Sequence, residues 1–233
     1  MPPKHLSIVI PVYNEGQIIR RVINSIPLRI KGIRKVTIIA VDDDSTDNSF
    51  KEISKTKAIL LHHPINMGAG SATITGLKAA QKLDSDVVVT LDGDGQHDPS
   101  EIEKLISPIL KDKADIVIGT RLKKLGQMPF IKKIGNWGLN IITYAISRVW
   151  TSDSQSGFKA FSKDAISKID IEGLGYEFCS EIIIEAKRHK LKIVDVPIKA
   201  IYTEYSKKKG QSVFNGMNIV IKLLFRKLTH PKR

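Results

Sequence analysis

Cysteine is almost missing from this chain: Cys179 stands alone among 233 residues. A single thiol excludes an internal disulfide framework and suits a reducing compartment. No stretch reaches the roughly 18 uncharged apolar residues of a membrane span, and the first residues lead into a strand without the apolar run of a signal peptide. The expected location is therefore cytoplasmic. Acids are absent from two long stretches. Between Asp115 and Asp153 there are only Arg121, Lys123, Lys124, Lys132, Lys133 and Arg148, and after Glu204 only Lys207, Lys208, Lys209, Lys222, Arg226, Lys227, Lys232 and Arg233. These stretches cover the net charge of +13. Such patches attract nucleic acid, an acidic membrane surface or a phosphorylated substrate. The basic segments lack a helix-turn-helix, an aromatic RNA-binding strand and a zinc pattern, which argues against nucleic acid as a partner.

A hydrophobic share of 42% is that of an ordinary globular core. Strand-like runs at 6–12, 35–41, 58–61, 86–91 and 115–118 alternate with helical patterns near 17–25, from 46, and at 71–82 and 100–110. That order predicts a mostly parallel, three-layer α/β/α sandwich. Helices are expected at 134–150 and 176–190, with short strands at 156–161 and 192–201. The helix at 134–150 carries its apolar residues at Ile134, Trp137, Ile141, Ala145 and Val149. A final amphipathic helix, about 214–228, has an apolar face and no acid, and both packing on the domain and lying in a membrane interface remain open for it.

The stretch Leu91-Asp92-Gly93-Asp94-Gly95-Gln96-His97-Asp98-Pro99 places two carboxylates one residue apart at the carboxyl end of a buried strand, where open α/β sheets hold ligands. Alternation along an extended backbone lets Asp92 and Asp94 point the same way. Two hard oxygen ligands beside glycines suit Mg²⁺ or Mn²⁺ carrying a diphosphate. Asp98-Pro99 followed by Glu101 also reads as a helix start. Other loops fall at the same edge. Pro11, Tyr13 and Glu15 offer a rigid turn, a ring for a base and a carboxylate, and Asp42 and Asp43 offer acceptors for a base or ribose. Gly68 and Gly70 open a helix, but Thr73 replaces the third glycine of a dinucleotide fingerprint, so NAD binding is rejected. Arg121, after Gly119-Thr120, suits a phosphate clamp.

In this order, Pro-Val-Tyr-Asn-Glu, Asp-Asp-x-Ser-x-Asp, Asn-x-Gly-x-Gly, Asp-Gly-Asp-Gly-Gln-His-Asp-Pro, Gly-Thr-Arg and Ser-Gly-Phe-Lys resemble the motifs of family 2 glycosyltransferases of GT-A fold. Within that family they are most similar to polyprenyl (dolichol) phosphate mannose and glucose synthases. The resemblance spans about residues 6–212. It implies a GT-A catalytic domain over 1–212, followed by a basic amphipathic helix over 213–233. It also implies an inverting hexosyl transfer, mannose favoured, from GDP-mannose or UDP-glucose to a polyprenyl phosphate acceptor. A saccharide or another lipid-linked acceptor with a UDP-sugar is the alternative.

By the same resemblance, Pro11, Tyr13, Glu15, Asp42, Asp43 and Gly70 hold the nucleotide, and Asp92, Asp94 and Gln96 surround a Mg²⁺ or Mn²⁺ ion. Arg121, Lys132 and Ser156 lie at the acceptor and phosphate side. Lys132 and Lys159 stand where arginines are frequent, and Asp44 stands where Gly or Asn is usual. Asp153 and Glu181 are the candidate bases should the acceptor be an alcohol; a phosphate monoester, with a second pKa of about 6, needs none. The expected setting is peripheral at the cytoplasmic face of a membrane, with an integral-membrane partner allowed.

Overall fold

A computed structural model of the chain describes residues 4–121, 130–173, 175, 177–199 and 201, with the backbone alone for 130–136. The boundary expected at 212, the helix expected over 213–233 and the side chain of Lys132 lie outside the described residues.

Five strands follow the predicted order: β1 (Lys4–Val12), β2 (Ile33–Asp42), β3 (Ile59–His62), β4 (Val87–Thr90) and β5 (Ile116–Thr120). Helices α1 (Ile19–Asn24), α2 (Ser49–Ser54), α3 (Ala69–Lys82) and α4 (Ile102–Leu110) separate them. The second half adds α5 (Phe130–Ser147), β6 (Lys159–Ser162), α6 (Lys163–Lys168), α7 (Phe178–Arg188) and β7 (Ile193–Pro197). The strands form one sheet in the order β3-β2-β1-β4-β6-β5-β7. Strand β6 runs antiparallel to β4 and β5, and every other pair is parallel.

Alternation along the strands builds the three layers. Leu6, Ile8 and Ile10 of β1, with Val87 and Val89 of β4, pack with Ile19, Ile53, Ile102 and Leu105 of α1, α2 and α4 on one face. Val9, Val41 and Val88 pack with Ala72, Leu77, Ile166 and Ile182 of α3, α6 and α7 on the other. Fully burying each such side chain contributes roughly 1.5–3 kcal/mol. Burial on both faces explains why these strands read as unbroken apolar runs.

The helix start at Asp98-Pro99 forms as expected: Asp98 Oδ1 accepts from the Ser100 N–H at 2.9 Å, and a 3₁₀ turn over Pro99–Glu101 leads into α4. Helix α6 was not anticipated; Ser162 caps it by accepting from the Ala165 N–H at 3.1 Å. In α5 the stripe through Trp137, Ile141 and Ala145 faces outward. The buried face is instead Leu139, Asn140, Thr143 and Ser147, with Thr143 Oγ1 2.9 Å from Ser180 Oγ of α7 and Leu139 packed with Ile184. Polar groups hold this helix to the domain, and its apolar stripe does not mark the buried side.

Candidate active site

The carboxyl ends of β1, β2 and β4 lie side by side, because Val12 pairs with Asp42 and Val9 with Thr90. Their loops meet at one edge. After β1 the chain turns at Asn14, whose φ of 55° is left-handed, and Asn14 Oδ1 accepts from the Thr46 N–H at 2.8 Å. The Asn14 N–H donates to Ser45 Oγ at 2.9 Å and the Glu15 N–H to Ser49 Oγ at 2.7 Å, which ties the first loop to the second. Asp44 also has a left-handed φ, 60°, accounting for the Gly or Asn expected there.

Asp42 and Asp43 are both buried. Asp43 accepts from the N–H groups of Met67 and Gly68 at 3.0 and 2.7 Å and contacts His63 Nδ1 at 2.7 Å, so it fastens the loop that opens α3. Gly68, at φ 94°, takes the conformation that glycine tolerates there, and Gly70 lies buried in the first turn of α3. Asp42 Oδ2 stands 3.0 Å from His62 Nδ1, whereas its Oδ1 is buried without a partner. A buried acceptor left bare is costly, and a donor on a bound ligand would satisfy it. Tyr13 is 46% exposed on the rim, and Glu15 is buried below it.

Just past β4, Asp92 and Asp94 come together. Asp94 accepts from both the backbone N–H and the side-chain amide of Gln96, at 2.9 and 2.6 Å. Desolvation, then the charge of Asp92, push its carboxyl up to about 6. Desolvation also opposes the charge of Asp92, but the hydrogen bond and charge of His97, with Arg121 and Lys159, outweigh it and hold this carboxyl below its ordinary value. His97 Nε2 lies 3.0 Å from Asp92 Oδ2, and since a carboxylate only accepts, Nε2 carries the proton. The imidazole is buried against Phe158, ring centroids 5.1 Å apart. The Asp92 side chain remains 42% exposed and open to a ligand. Gly157 makes room for it: a Cβ there would stand 2.1 Å from Asp92 Oδ1.

Arg121, at the end of β5, is gripped by Asp153. Its Nε and Nη2 donate to the two carboxylate oxygens at 2.7 Å each, and its backbone N–H adds a third bond at 3.2 Å. Desolvation disfavours the Asp153 charge, yet the Arg121 charge and hydrogen bonds overcome it and keep the carboxyl low. Glu181 is buried and accepts from the N–H groups of Glu172 and Gly173. Ser156 is fully buried, its Oγ accepting from the Phe158 N–H at 3.3 Å, so it shapes the Gly157-Phe158 turn. Lys159 is fully buried too and donates from Nζ to the Ser156 carbonyl.

Pro11, Glu15, Asp92, Asp94, Gln96 and Arg121 are thus gathered at one edge, with Asp42, Asp43 and Gly70 buried in the neighbouring loops after β2 and at the start of α3. Sequence reasoning passed over His97, His63 and the Arg121–Asp153 pair. The histidine was visible inside the Asp-Gly-Asp-Gly-Gln-His motif; the ion pair, 32 residues apart, had no local signal.

The model of the family described as glycosyl transferase family 2 matches residues 7–170. A UDP-N-acetylglucosamine–dolichyl-phosphate N-acetylglucosaminyltransferase of Methanococcus voltae is 42% identical, covering 98% of both chains. A dolichol-phosphate mannosyltransferase of Pyrococcus furiosus is 32% identical over 94% of this chain, which spans 63% of that relative's length. Among solved structures, glucosyl-3-phosphoglycerate synthase of Mycobacterium tuberculosis, bound to Mn²⁺ and UDP-glucose, superposes with a TM-score of 0.73. It is 20% identical and covers 97% of this chain and 78% of that one, a likeness that places the fold. With the six motifs converging on one sheet edge and the family model matching well over half of the sequence, the chain belongs to glycosyl transferase family 2 and has the GT-A fold.

Proposed function

We propose that the chain transfers a sugar from a nucleoside diphosphate sugar to a polyprenyl phosphate, with N-acetylglucosamine from UDP as the donor group. The observation that carries the acceptor reading is the state of the two candidate bases. Asp153 is committed to Arg121, and Glu181 to backbone N–H groups. An alcohol acceptor needs a base to take its proton, whereas a phosphate monoester is already mostly ionised at neutral pH. In the reaction, a phosphate oxygen of the acceptor bonds to the anomeric carbon as the bond from that carbon to the diphosphate oxygen breaks, with inversion. The nucleoside diphosphate leaves with the electron pair.

Asp92 and Asp94 fit a divalent cation. Burial, then the charge of Asp92, holds Asp94 up near 6, and Gln96, whose amide nitrogen donates to Asp94, has a carbonyl that is itself a hard oxygen. Mg²⁺ is commonly bound through one or two carboxylates together with waters and substrate phosphates. Mg²⁺ or Mn²⁺ held there would supply Lewis-acid stabilisation of the leaving diphosphate. The chain's own residues do the rest. Asp42 Oδ1 and Tyr13 meet the nucleoside, His97 fixes the rotamer of Asp92, and Arg121, oriented by Asp153, faces phosphate charge.

The donor assignment is supported by the 42% identity to the N-acetylglucosaminyltransferase. Mannose from GDP-mannose, favoured by the motifs, is the second reading and rests on the mannosyltransferase at 32%. Incubating the protein with Mn²⁺, dolichyl phosphate and either labelled UDP-N-acetylglucosamine or labelled GDP-mannose separates them. A chloroform-soluble, mild-acid-labile product from the first donor alone is expected. Product from GDP-mannose alone overturns the donor assignment, and label appearing only in a glycan overturns the acceptor.

A further inference from the structure

Strand β6 runs against its neighbours, so its first residue, Lys159, lies at the edge where β4 and β5 end, paired with Thr90 and Ile118. The turn before it is fastened carbonyl by carbonyl. The Ser156 carbonyl accepts from Lys159 Nζ, that of Gly157 from Thr90 Oγ1 at 2.7 Å, and that of Phe158 from the Gly119 N–H at 2.8 Å. Of the N–H groups, that of Ser156 donates to the Asp153 carbonyl at 3.2 Å and that of Phe158 to Ser156 Oγ at 3.3 Å. The Gly157 N–H, the third of the turn, donates to nothing among the described residues.

Lys159 decides where that N–H points. In a trans peptide, as here, the carbonyl and the N–H point in opposite directions. The ammonium draws the Ser156 carbonyl into the core, so the N–H of the same peptide turns away from it. Gly157 is half-buried, whereas every other residue from Asp153 to Phe161 is buried. The Asp92 carboxylate lies directly against it, since a Cβ there would stand 2.1 Å from Asp92 Oδ1.

A fully buried ammonium is expensive, and a hydroxyl could bond one carbonyl without that cost. No acid among the described residues is given over to Lys159. Asp92 and Asp153, on which its charge acts, are bonded to His97 and Arg121, and desolvation pushes up the Cys179 thiol in contact with it, which therefore stays neutral. A cation bonded to the carbonyl polarises the peptide and strengthens its N–H as a donor. Such a donor suits an anionic oxygen.

We propose that Lys159 is a positioning residue, fixing the Ser156–Gly157 peptide so that the Gly157 N–H binds a phosphate oxygen of the substrates. The proposal rests on the nucleotide-sugar and lipid-phosphate reading and gives that reading a main-chain donor beside the metal corner. The oxygen belongs either to the donor's diphosphate or to the acceptor's phosphate, and the two are separable by experiment.

Ser156-Gly157 is the only Ser-Gly pair of the chain, so labelling serine carbonyls with ¹³C and glycine amides with ¹⁵N leaves one carbonyl-linked amide resonance, that of Gly157. The full chain is titrated separately with UDP and Mg²⁺, with a short-chain polyprenyl phosphate, with pyrophosphate and Mg²⁺, and with uridine. The expected result is a downfield movement of the amide proton with phosphate ligands and none with uridine. Movement with UDP assigns the N–H to the diphosphate, and movement with the lipid phosphate alone assigns it to the acceptor. Lys159→Met should lose the movement and weaken binding of the responding ligand roughly tenfold, and Lys159→Arg should restore both. Should Lys159→Met fail to fold, Lys159→Gln, which keeps a polar donor without the charge, should show a weakened response. A full response in a folded Met or Gln variant overturns the positioning role. Phosphate ligands that bind by calorimetry without moving the resonance overturn the proposal, as does a resonance that no phosphate moves. Movement with pyrophosphate in a protein that binds neither UDP nor the lipid phosphate counts against the proposed function and leaves the N–H site standing.

Discussion

Asp43, on the β2 side of the cleft, and Asp153, on the β5 side, are both buried carboxylates, yet their charges are met differently. Asp43 lies among the N–H groups of Met67 and Gly68, with a single side-chain contact to the His63 imidazole. Nearby, Asp47 accepts from the N–H groups of Gly16 and Ser49. Asp153 is instead answered by a full opposite charge, Arg121, and Asp195 of β7 collects Thr151 Oγ1, the Ser152 N–H and Ser152 Oγ at 2.9, 2.8 and 2.7 Å. Main-chain donors come with the loop and survive many substitutions. Side-chain networks depend on every member, because a buried partner left alone keeps its desolvation cost.

The sharpest way to test this contrast is to remove half of the ion pair. Asp153→Asn should cost about 3–5 kcal/mol of stability, since Arg121 is then left buried without its counter-charge. Replacing both, with Arg121→Met and Asp153→Leu, should recover much of that loss. Urea unfolding monitored by circular dichroism gives both numbers. A single-variant loss below about 1 kcal/mol would mean that the pair behaves like an exposed one, and the contrast between the two sides would disappear.

Next in size is Asp92→Asn on the proposed reaction. This change keeps the shape and removes the charge that faces the leaving diphosphate, so kcat should fall roughly 10²- to 10³-fold with the far-ultraviolet spectrum unchanged. A fall no larger than that of Asp43→Asn would move the chemistry to the β2 side.

Gly157→Ala joins the two sides. The Gly157 carbonyl is anchored by Thr90 Oγ1 at 2.7 Å, so the turn cannot withdraw, and the new Cβ would stand 2.1 and 2.3 Å from the two Asp92 oxygens. The carboxylate must swing aside, and a displacement of about 1 Å costs on the order of a hundredfold in rate. Mn²⁺ titration and kcat should fall together. Unaltered Mn²⁺ affinity would show that Asp92 tolerates the move and is no ligand.

The same contrast explains what the sequence made legible. Strands β1 to β5 announced themselves because burial on both faces leaves Val and Ile runs with little else to be. The acidic loops did so because Asp, Asn, Ser and Gly cluster where side chains bond to backbone two residues on, as in Asp94 with Gln96 and Asp47 with Ser49. On the other side the partners stand far apart in the chain: Arg121 and Asp153 by 32 residues, Gln155 and Ser180 by 25, Thr151 and Asp195 by 44. No periodicity marks a serine of α7 that will meet a glutamine in the turn before β6. The inner face of α5 is likewise not marked by its apolar spacing, because its buried contacts include an asparagine, a threonine and a serine.

The smallest expected effect is a pH dependence, and its sign follows from Asp94. The folded-state pKa of about 6 lies above the ordinary carboxylate value of 3.8, so the metal-free fold favours the protonated form. For this group, stability is fully present below 3.8 and is lost as pH rises through 6. A divalent cation reverses the balance by binding the charged form, and it must displace the proton at any pH below about 6. Apparent Mn²⁺ affinity should therefore level off above that pH and drop about tenfold for each unit below it, about 1.4 kcal/mol. The thermal upshift given by Mn²⁺ should shrink in parallel. Asp94→Asn should abolish the pH dependence along with the binding, whereas Asp43→Asn, on the side where backbone N–H groups meet the carboxylate, should leave the profile in place. A profile centred near 4 in the intact protein would mean that neither burial nor the Asp92 charge raises the Asp94 carboxyl.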